Sequence, residues 1–200
     1  MGKRKPVRRS AAAAVGLLLL TGCLFEAREA QPPGTGTGGP PPVSLRFPSD
    51  VLQALASGLE SLTRSNYERA ISETFIFSPT LEDSLDLNFI GTGVFDNWTK
   101  AVEMEVYDNL IAEASEITVT FNNAPIINDN TFVRYDVSYD LTIISRAVPP
   151  DTSVYKARAY FDVRNEGGNW RLTYWDELEL VENLTSWGFL RGTIRKRLTP

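Results

Sequence analysis

Between Ile117 and Val181 apolar and polar residues alternate with a period of two, and that pattern limits the fold more than any other feature of the chain. Val133, Tyr135, Val137, Tyr139, Leu141 and Ile143 alternate with Arg134, Asp136, Ser138, Asp140 and Thr142. Tyr155, Ala157, Ala159, Phe161 and Val163 alternate with Lys156, Arg158, Tyr160 and Asp162. A shorter run places Ile117, Val119 and Phe121 against Thr118 and Thr120, and a last strand extends from Trp170 to about Val181. Successive side chains of a strand point to opposite faces, so each run offers one face to a core and one to water. The pattern predicts an antiparallel sheet covered on one side only.

Helices supply the cover. Pro48-Ser49-Asp50 caps a first helix in which Leu52, Leu55, Leu59 and Leu62 recur at helical spacing. A second, short helix covers Tyr67 to Ile71 with a cap near Asn66, and leads into a strand at Phe75-Ile76-Phe77. Residues 79–95 read as loop. Asp96 or Asn97 caps a third helix through Ala114, with Val102, Val106, Leu110 and Ala114 on a stripe that Tyr107 and Ile111 widen. The class is α+β, three N-terminal helices on an antiparallel sheet. A hairpin turn at Asn165-Glu166-Gly167-Gly168-Asn169 pairs residues of opposite parity. It puts Trp170, Leu172, Tyr174, Asp176 and Leu178 on the face of Phe161, Ala159, Ala157 and Tyr155. The other face then gathers Lys156 and Arg158 beside Glu177 and Glu179.

Composition removes whole classes of chemistry. The 200 residues include no histidine and one cysteine, which excludes histidine bases, Ser-His-Asp and Cys-His machinery, disulfide frameworks and Cys/His zinc sites within one chain. The lone cysteine has a telling position. Lys3, Arg4, Lys5, Arg8 and Arg9 precede an apolar run from Ala11 to Leu20, the order of a secretory signal. That run is about half the roughly twenty residues a spanning helix needs. Leu20-Thr21-Gly22-Cys23 resembles the lipobox of bacterial lipoproteins, whose cysteine becomes the lipidated first residue. The resemblance implies cleavage before Cys23, a diacylglyceryl thioether on its sulfur, and attachment to a membrane. Leu24 stands where an aspartate would favour inner-membrane retention, so the expected place is the outer membrane, facing the periplasm.

Losing residues 1–22 removes five of the 20 basic groups and none of the 25 acids, which leaves a net charge of −10. So acidic a body argues against nucleic acid as a partner. Arg191, Arg195, Lys196 and Arg197 form a local basic cluster, read as a solvated helix end. Residues 23–46 include Gln31-Pro32-Pro33-Gly34-Thr35-Gly36-Thr37-Gly38-Gly39-Pro40-Pro41-Pro42, too poor in apolar groups to fold, and read as a tether. The organisation is therefore a signal at 1–22, a tether at 23–46 and one folded domain at 47–200.

Helix, short helix, helix and a long meander ending in Gly168-Asn169-Trp170-Arg171-Leu172-Thr173-Tyr174-Trp175 resemble the nuclear transport factor 2-like superfamily, which includes SnoaL-like domains. Asn66-Tyr67 through Phe77 resembles its early helix-to-strand segment, and the likeness covers about residues 47–185. It implies a cone-shaped domain, and is nearest to lipoprotein members without an assigned activity. The fold hosts isomerases, hydratases, cyclases and plain binding modules, so it does not name a function.

Within that cone the register makes Asp176 the one carboxylate among apolar groups, with Tyr135, Tyr139, Tyr155, Ala157, Phe161 and Tyr174 lining the expected pocket. Three readings follow. The first is a lipid-anchored envelope protein, acting without catalysis, that holds a small apolar ligand or meets an envelope protein. The second is an isomerase or hydratase in which Asp176, its pKa raised by apolar surroundings, works with a tyrosine such as Tyr139. A plainer account has Asp176 accepting hydrogen bonds near a strand end. The third is a structural homodimer formed through the open sheet face, where this register exposes Tyr160 and Trp175. Trp98, Trp175 and Trp187 are read as packing or as a ligand mouth. The acids of Leu81-Glu82-Asp83-Ser84-Leu85-Asp86 lack the glycine and spacing of a calcium loop. Asn97-Trp98-Thr99 and Asn183-Leu184-Thr185 match the glycosylation pattern, a match that the bacterial-type lipobox makes an expected accident. No cofactor and no metal are implied.

Overall fold

The computed structural model describes residues 40–180 and 184–199. The signal, Cys23 and most of the tether lie outside them, as do Val181 and Asn183. The elements run α1 (Pro48–Glu60), α2 (Arg64–Ala70), β1 (Ile71–Ser78), α3 (Leu81–Ser84), α4 (Lys100–Glu113), β2 (Ala114–Asn128), β3 (Phe132–Ser145), β4 (Thr152–Glu166), β5 (Asn169–Leu180) and α5 (Trp187–Leu198). The strands form one sheet in the order β1-β5-β4-β3-β2. From β5 to β2 the pairing is antiparallel, but β1 lies parallel to β5, because a helical connection rather than a hairpin follows it.

The helix expectations hold in outline and shift in detail. Pro48 opens α1, and the Asp50 carboxylate accepts the Phe47 N–H at 2.9 Å. α2 begins three residues earlier than expected. Asn66 is inside it and fully buried, not its cap, and its side chain accepts the Val43 N–H at 3.0 Å. Leu45 is buried as well and its carbonyl accepts the Trp170 N–H, so the folded part reaches back into the expected tether. α4 is capped at Thr99, since Asn97 takes a left-handed conformation that ends the preceding turn. Residues 79–95 include the one-turn helix α3. Three N-terminal helices therefore understate the count: among the described residues four helices precede β2, and a fifth, α5, follows the sheet.

One face of the sheet is apolar and meets the helices. Val133, Val137, Tyr139, Leu141, Ala157, Ala159, Phe161 and Val163 are buried on it, beneath Leu52, Leu55 and Leu59 of α1 and Val106 and Leu110 of α4. The outer face pairs charges across strands, Arg134 with Asp162, Lys156 with Asp140, and Arg158 with Asp136 and Glu179.

The turn between β4 and β5 is the two-residue loop Gly167-Gly168, both at positive φ, and its register starts as expected, with Val163 opposite Leu172. Thr173 then has no partner. Its hydroxyl donates to the Asp162 carbonyl at 3.1 Å, and Asp162 pairs with Tyr174 instead. This β-bulge moves the side chains from Tyr174 to Glu177 to the other face, leaving Trp175 and Glu177 inside and Tyr174 and Asp176 outside. Leu178 is a second bulge, after which Arg158 faces Glu179 on the outer side.

The close approach of α1 and α2 depends on Gly58. A Cβ there would lie 2.7 Å from both Cβ and backbone N of Tyr67. Gly58→Ala gains about 1 kcal/mol of helix propensity but must push α2 away. We expect a net loss of about 2 kcal/mol, read as a lower urea midpoint at unchanged slope. An unchanged midpoint would mean that α2 yields freely.

Candidate functional site

α5 exists because Ser186 caps it and because Leu190, Ile194 and Leu198 recur every four residues. The Ser186 hydroxyl accepts the Phe189 N–H at 2.8 Å and donates to the Asp83 carboxylate on α3. One turn into the helix, Arg191 points into the space between sheet and helices. It is wholly buried, so the solvated helix end expected of the cluster holds only for Lys196 and Arg197. Lys196 donates to the Asn88 carbonyl and Arg197 pairs with Glu113, while Arg195 is half-buried and donates to the Val94 carbonyl.

Five elements besides α5 converge on the Arg191 guanidinium. From α4, Glu103 Oε1 accepts Nη2 at 2.7 Å. The same carboxylate accepts Tyr67 Oη of α2 at 2.6 Å and Trp98 Nε1 at 2.8 Å. From β5, Glu177 Oε1 lies 3.8 Å from Nη1 and accepts Tyr139 Oη of β3 at 2.7 Å. Glu177 Oε2 accepts the Gly188 N–H at 3.0 Å, and Tyr139 Oη accepts the Trp187 N–H at 2.8 Å. The guanidinium carbon sits 4.4 Å from the ring centre of Phe77, 4.0 Å from that of Trp175 and 4.5 Å from that of Trp187. Arg191 Nε and Nη1 and Trp175 Nε1 are buried without a hydrogen-bond partner.

Burial works against the charge of Arg191, but Glu103, Tyr67 and Glu177 offset it and keep the group protonated. Burial pushes the Glu177 carboxyl up to about 7, against the pull of Arg191 and the Tyr139 hydrogen bond. Asp83 is raised by burial too, against its bonds from Ser186 and Thr80. Tyr67 and Tyr139 lie well above the usual phenol value, first from burial and then from the carboxylate beside each. A carboxyl near 7 bonded to a tyrosine has the makings of an acid–base pair. Both groups are buried, however, and an open groove of about 490 Å³ lies elsewhere, lined by Arg64, Glu68, Glu73, Lys100 and Asp108.

The expected pocket is thus partly assembled. Tyr139, Ala157 and Phe161 are buried on the inner face, with Tyr135 nearly so and Tyr155 half-buried at its margin. Asp176 and Tyr174 are on the outer face, turned there by the Thr173 bulge, and Asp176 stands opposite Tyr160. On the inner side the buried carboxylates are Glu177, Glu103 and Asp83, while Asp162 is buried in its pair with Arg134. Trp98, Trp175 and Trp187 are all packed inside rather than at a mouth, so a dimer face using Trp175 is ruled out, and Tyr160 alone remains of that pair. Among the described residues no acidic cluster can hold a metal ion. Two signals pointed at the missed residues. Glu103 lies on the face of α4 that carries Tyr107 and Leu110, and the expected register left a tryptophan, Trp175, in water.

The sign of the pH dependence follows from Glu177. Its folded pKa exceeds the ordinary 4.5, so the native state holds an extra proton between pH 4.5 and 7. This contribution is fully present below pH 4.5 and is lost as pH rises to 7, a change of about 3 kcal/mol. Glu177→Gln removes it. Between pH 5 and pH 8 the variant should lose less stability than the wild type in urea titrations. Equal losses would show that Glu177 does not titrate in this range.

No protein-family model matches the sequence, and no curated protein matches it. Solved structures do. A proposed aromatic ring hydroxylase from Novosphingobium aromaticivorans is 17% identical, with 73% of this chain and 95% of that one covered at a TM-score of 0.55. A conserved protein from Planctomyces limnophilus is 11% identical, with 65% and 91% covered at 0.53. A nuclear transport factor 2-like superfamily protein from Salmonella enterica serovar Typhimurium is 9% identical, with 67% and 89% covered at 0.46. The first two share the fold of this chain.

Proposed function

We propose that the chain is a lipid-anchored envelope protein whose nuclear transport factor 2-like domain works by contact with another envelope protein, without catalysis. The observation that carries this reading is the buried Arg191. A side chain of the protein itself, held by two carboxylates and three aromatic rings, fills the space where a substrate or an apolar ligand would lie. The lipobox at Leu20-Thr21-Gly22-Cys23 supports the anchor, and Leu24 supports the outer membrane. Glu177 favours a second reading, an isomerase or hydratase, because a carboxyl near pH 7 beside Tyr139 suits proton transfer. That reading needs α5 to leave its place.

Two measurements test the proposal. Full-length protein made in a bacterial host should partition into detergent and carry a lipid mass on Cys23, whereas Cys23→Ser should stay in the aqueous phase. Wild-type protein that partitions like the variant would remove the anchor. Gentle native mass spectrometry of the same protein should show no co-purified neutral or anionic small molecule. A bound species of that kind lost on Glu177→Gln would overturn the contact reading in favour of the enzyme.

A further inference from the structure

Arg191 is an imperfect occupant of a well-made site. A guanidinium has five N–H donors in a fixed plane. Here Nη2 alone makes a short bond to a carboxylate, Nη1 stops 3.8 Å from the other, and Nε has no acceptor. The helix backbone sets how far the side chain reaches, and Gly188 is packed so closely against Glu177, Asp83 and Phe77 that α5 cannot settle deeper.

The walls, by contrast, are held by groups other than the Arg191 side chain. Glu103 is fixed by Tyr67 and Trp98, and Glu177 by Tyr139 and by the Gly188 N–H of α5. Phe77 and Trp175 present ring faces from β1 and β5. Two fixed carboxylates and stacked aromatic faces form the recognition chemistry of a planar organic cation. An alternative that merely fills volume would not need both carboxylates, since buried ion pairs are often no more stabilising than apolar residues of equal size.

We propose that this cage is a binding site for a small organic cation, of the guanidinium class, which the chain keeps closed with its own Arg191. A free cation of that class is not tied to a helix and can satisfy both carboxylates together. It therefore competes with Arg191 for the cage and loosens α5. The inference rests on the cage alone and stands apart from the lipid anchor and the envelope partner.

The test uses the full chain in detergent with methylguanidinium as the probe, at low-millimolar concentration, and N-methylurea and sodium chloride as controls. Arg191→Ala opens the cage. Its Tm should fall and then rise saturably with methylguanidinium, by about 5 °C at saturation, with no comparable gain from either control. If Arg191→Ala does not fold alone, methylguanidinium should restore its circular dichroism. Failure to restore it, or equal gains from N-methylurea or salt, overturns the proposal. Arg191→Met fills the volume without charge, and should be less stable than Arg191→Lys and insensitive to the probe. A methionine variant as stable as the wild type would show an apolar slot instead. In the wild type, hydrogen exchange of the Trp187 and Gly188 amides should speed up with methylguanidinium and not with N-methylurea, and identical exchange in both would remove the competition.

Discussion

The ion pair between Arg191 and Glu103 governs much of the rest of the domain. A guanidinium removed from water must find opposite charge at short range, and the carboxylate that supplies it must itself be satisfied. Tyr67 and Trp98 do this for Glu103, which fixes α2 and the segment before α4 around one carboxylate. The second carboxylate, Glu177, holds its proton to about pH 7 because burial outweighs the pull of Arg191 and the Tyr139 hydrogen bond. The arrangement also sets the position of α5. Sliding the helix by one residue turns it by about 100° and takes Arg191 away from both acids at once, so α5 has a single register on the sheet.

The same cluster explains which parts of the fold were legible in the sequence. Periodicity found the strands and the apolar stripes of α1 and α4, because those depend only on which face is wet. It could not find the bulge at Thr173. Nothing in Leu172-Thr173-Tyr174-Trp175 marks one residue as unpaired, and a single unpaired residue moves the side chains after it to the other face until a second bulge, here at Leu178. The alternation alone therefore puts Asp176 inside and Glu177 outside, the reverse of the structure. Composition misled in the same way at the C-terminus. Four basic residues within seven positions suggest a solvated end, yet helical spacing puts Arg191 one turn beyond Trp187 on the buried side.

Around the closed interior the surface is uneven. The outer face of the sheet spends its charges on cross-strand pairs, exposed enough to be worth little and to be screened by salt. The edge strand β2 is interrupted by Pro125 at a bulge, a feature that discourages pairing with another strand. Apolar side chains gather instead around α3, where Leu81, Leu85, Leu87 and Ile90 are all exposed within ten residues.

That patch is mechanically close to the cage. Leu81 and Leu85 flank Asp83, and Asp83 accepts the hydroxyl of the residue that caps α5. The cap in turn sits one residue before Trp187, whose N–H donates to Tyr139, the partner of Glu177. A chain of three hydrogen bonds thus joins this exposed apolar patch to the buried Glu177. Every link is a bond to a charged group or to a hydroxyl already bound to one, the class whose loss costs most when buried. Movement at α3 therefore cannot leave the seating of α5 unchanged, and the closed interior and the exposed patch belong to one connected unit.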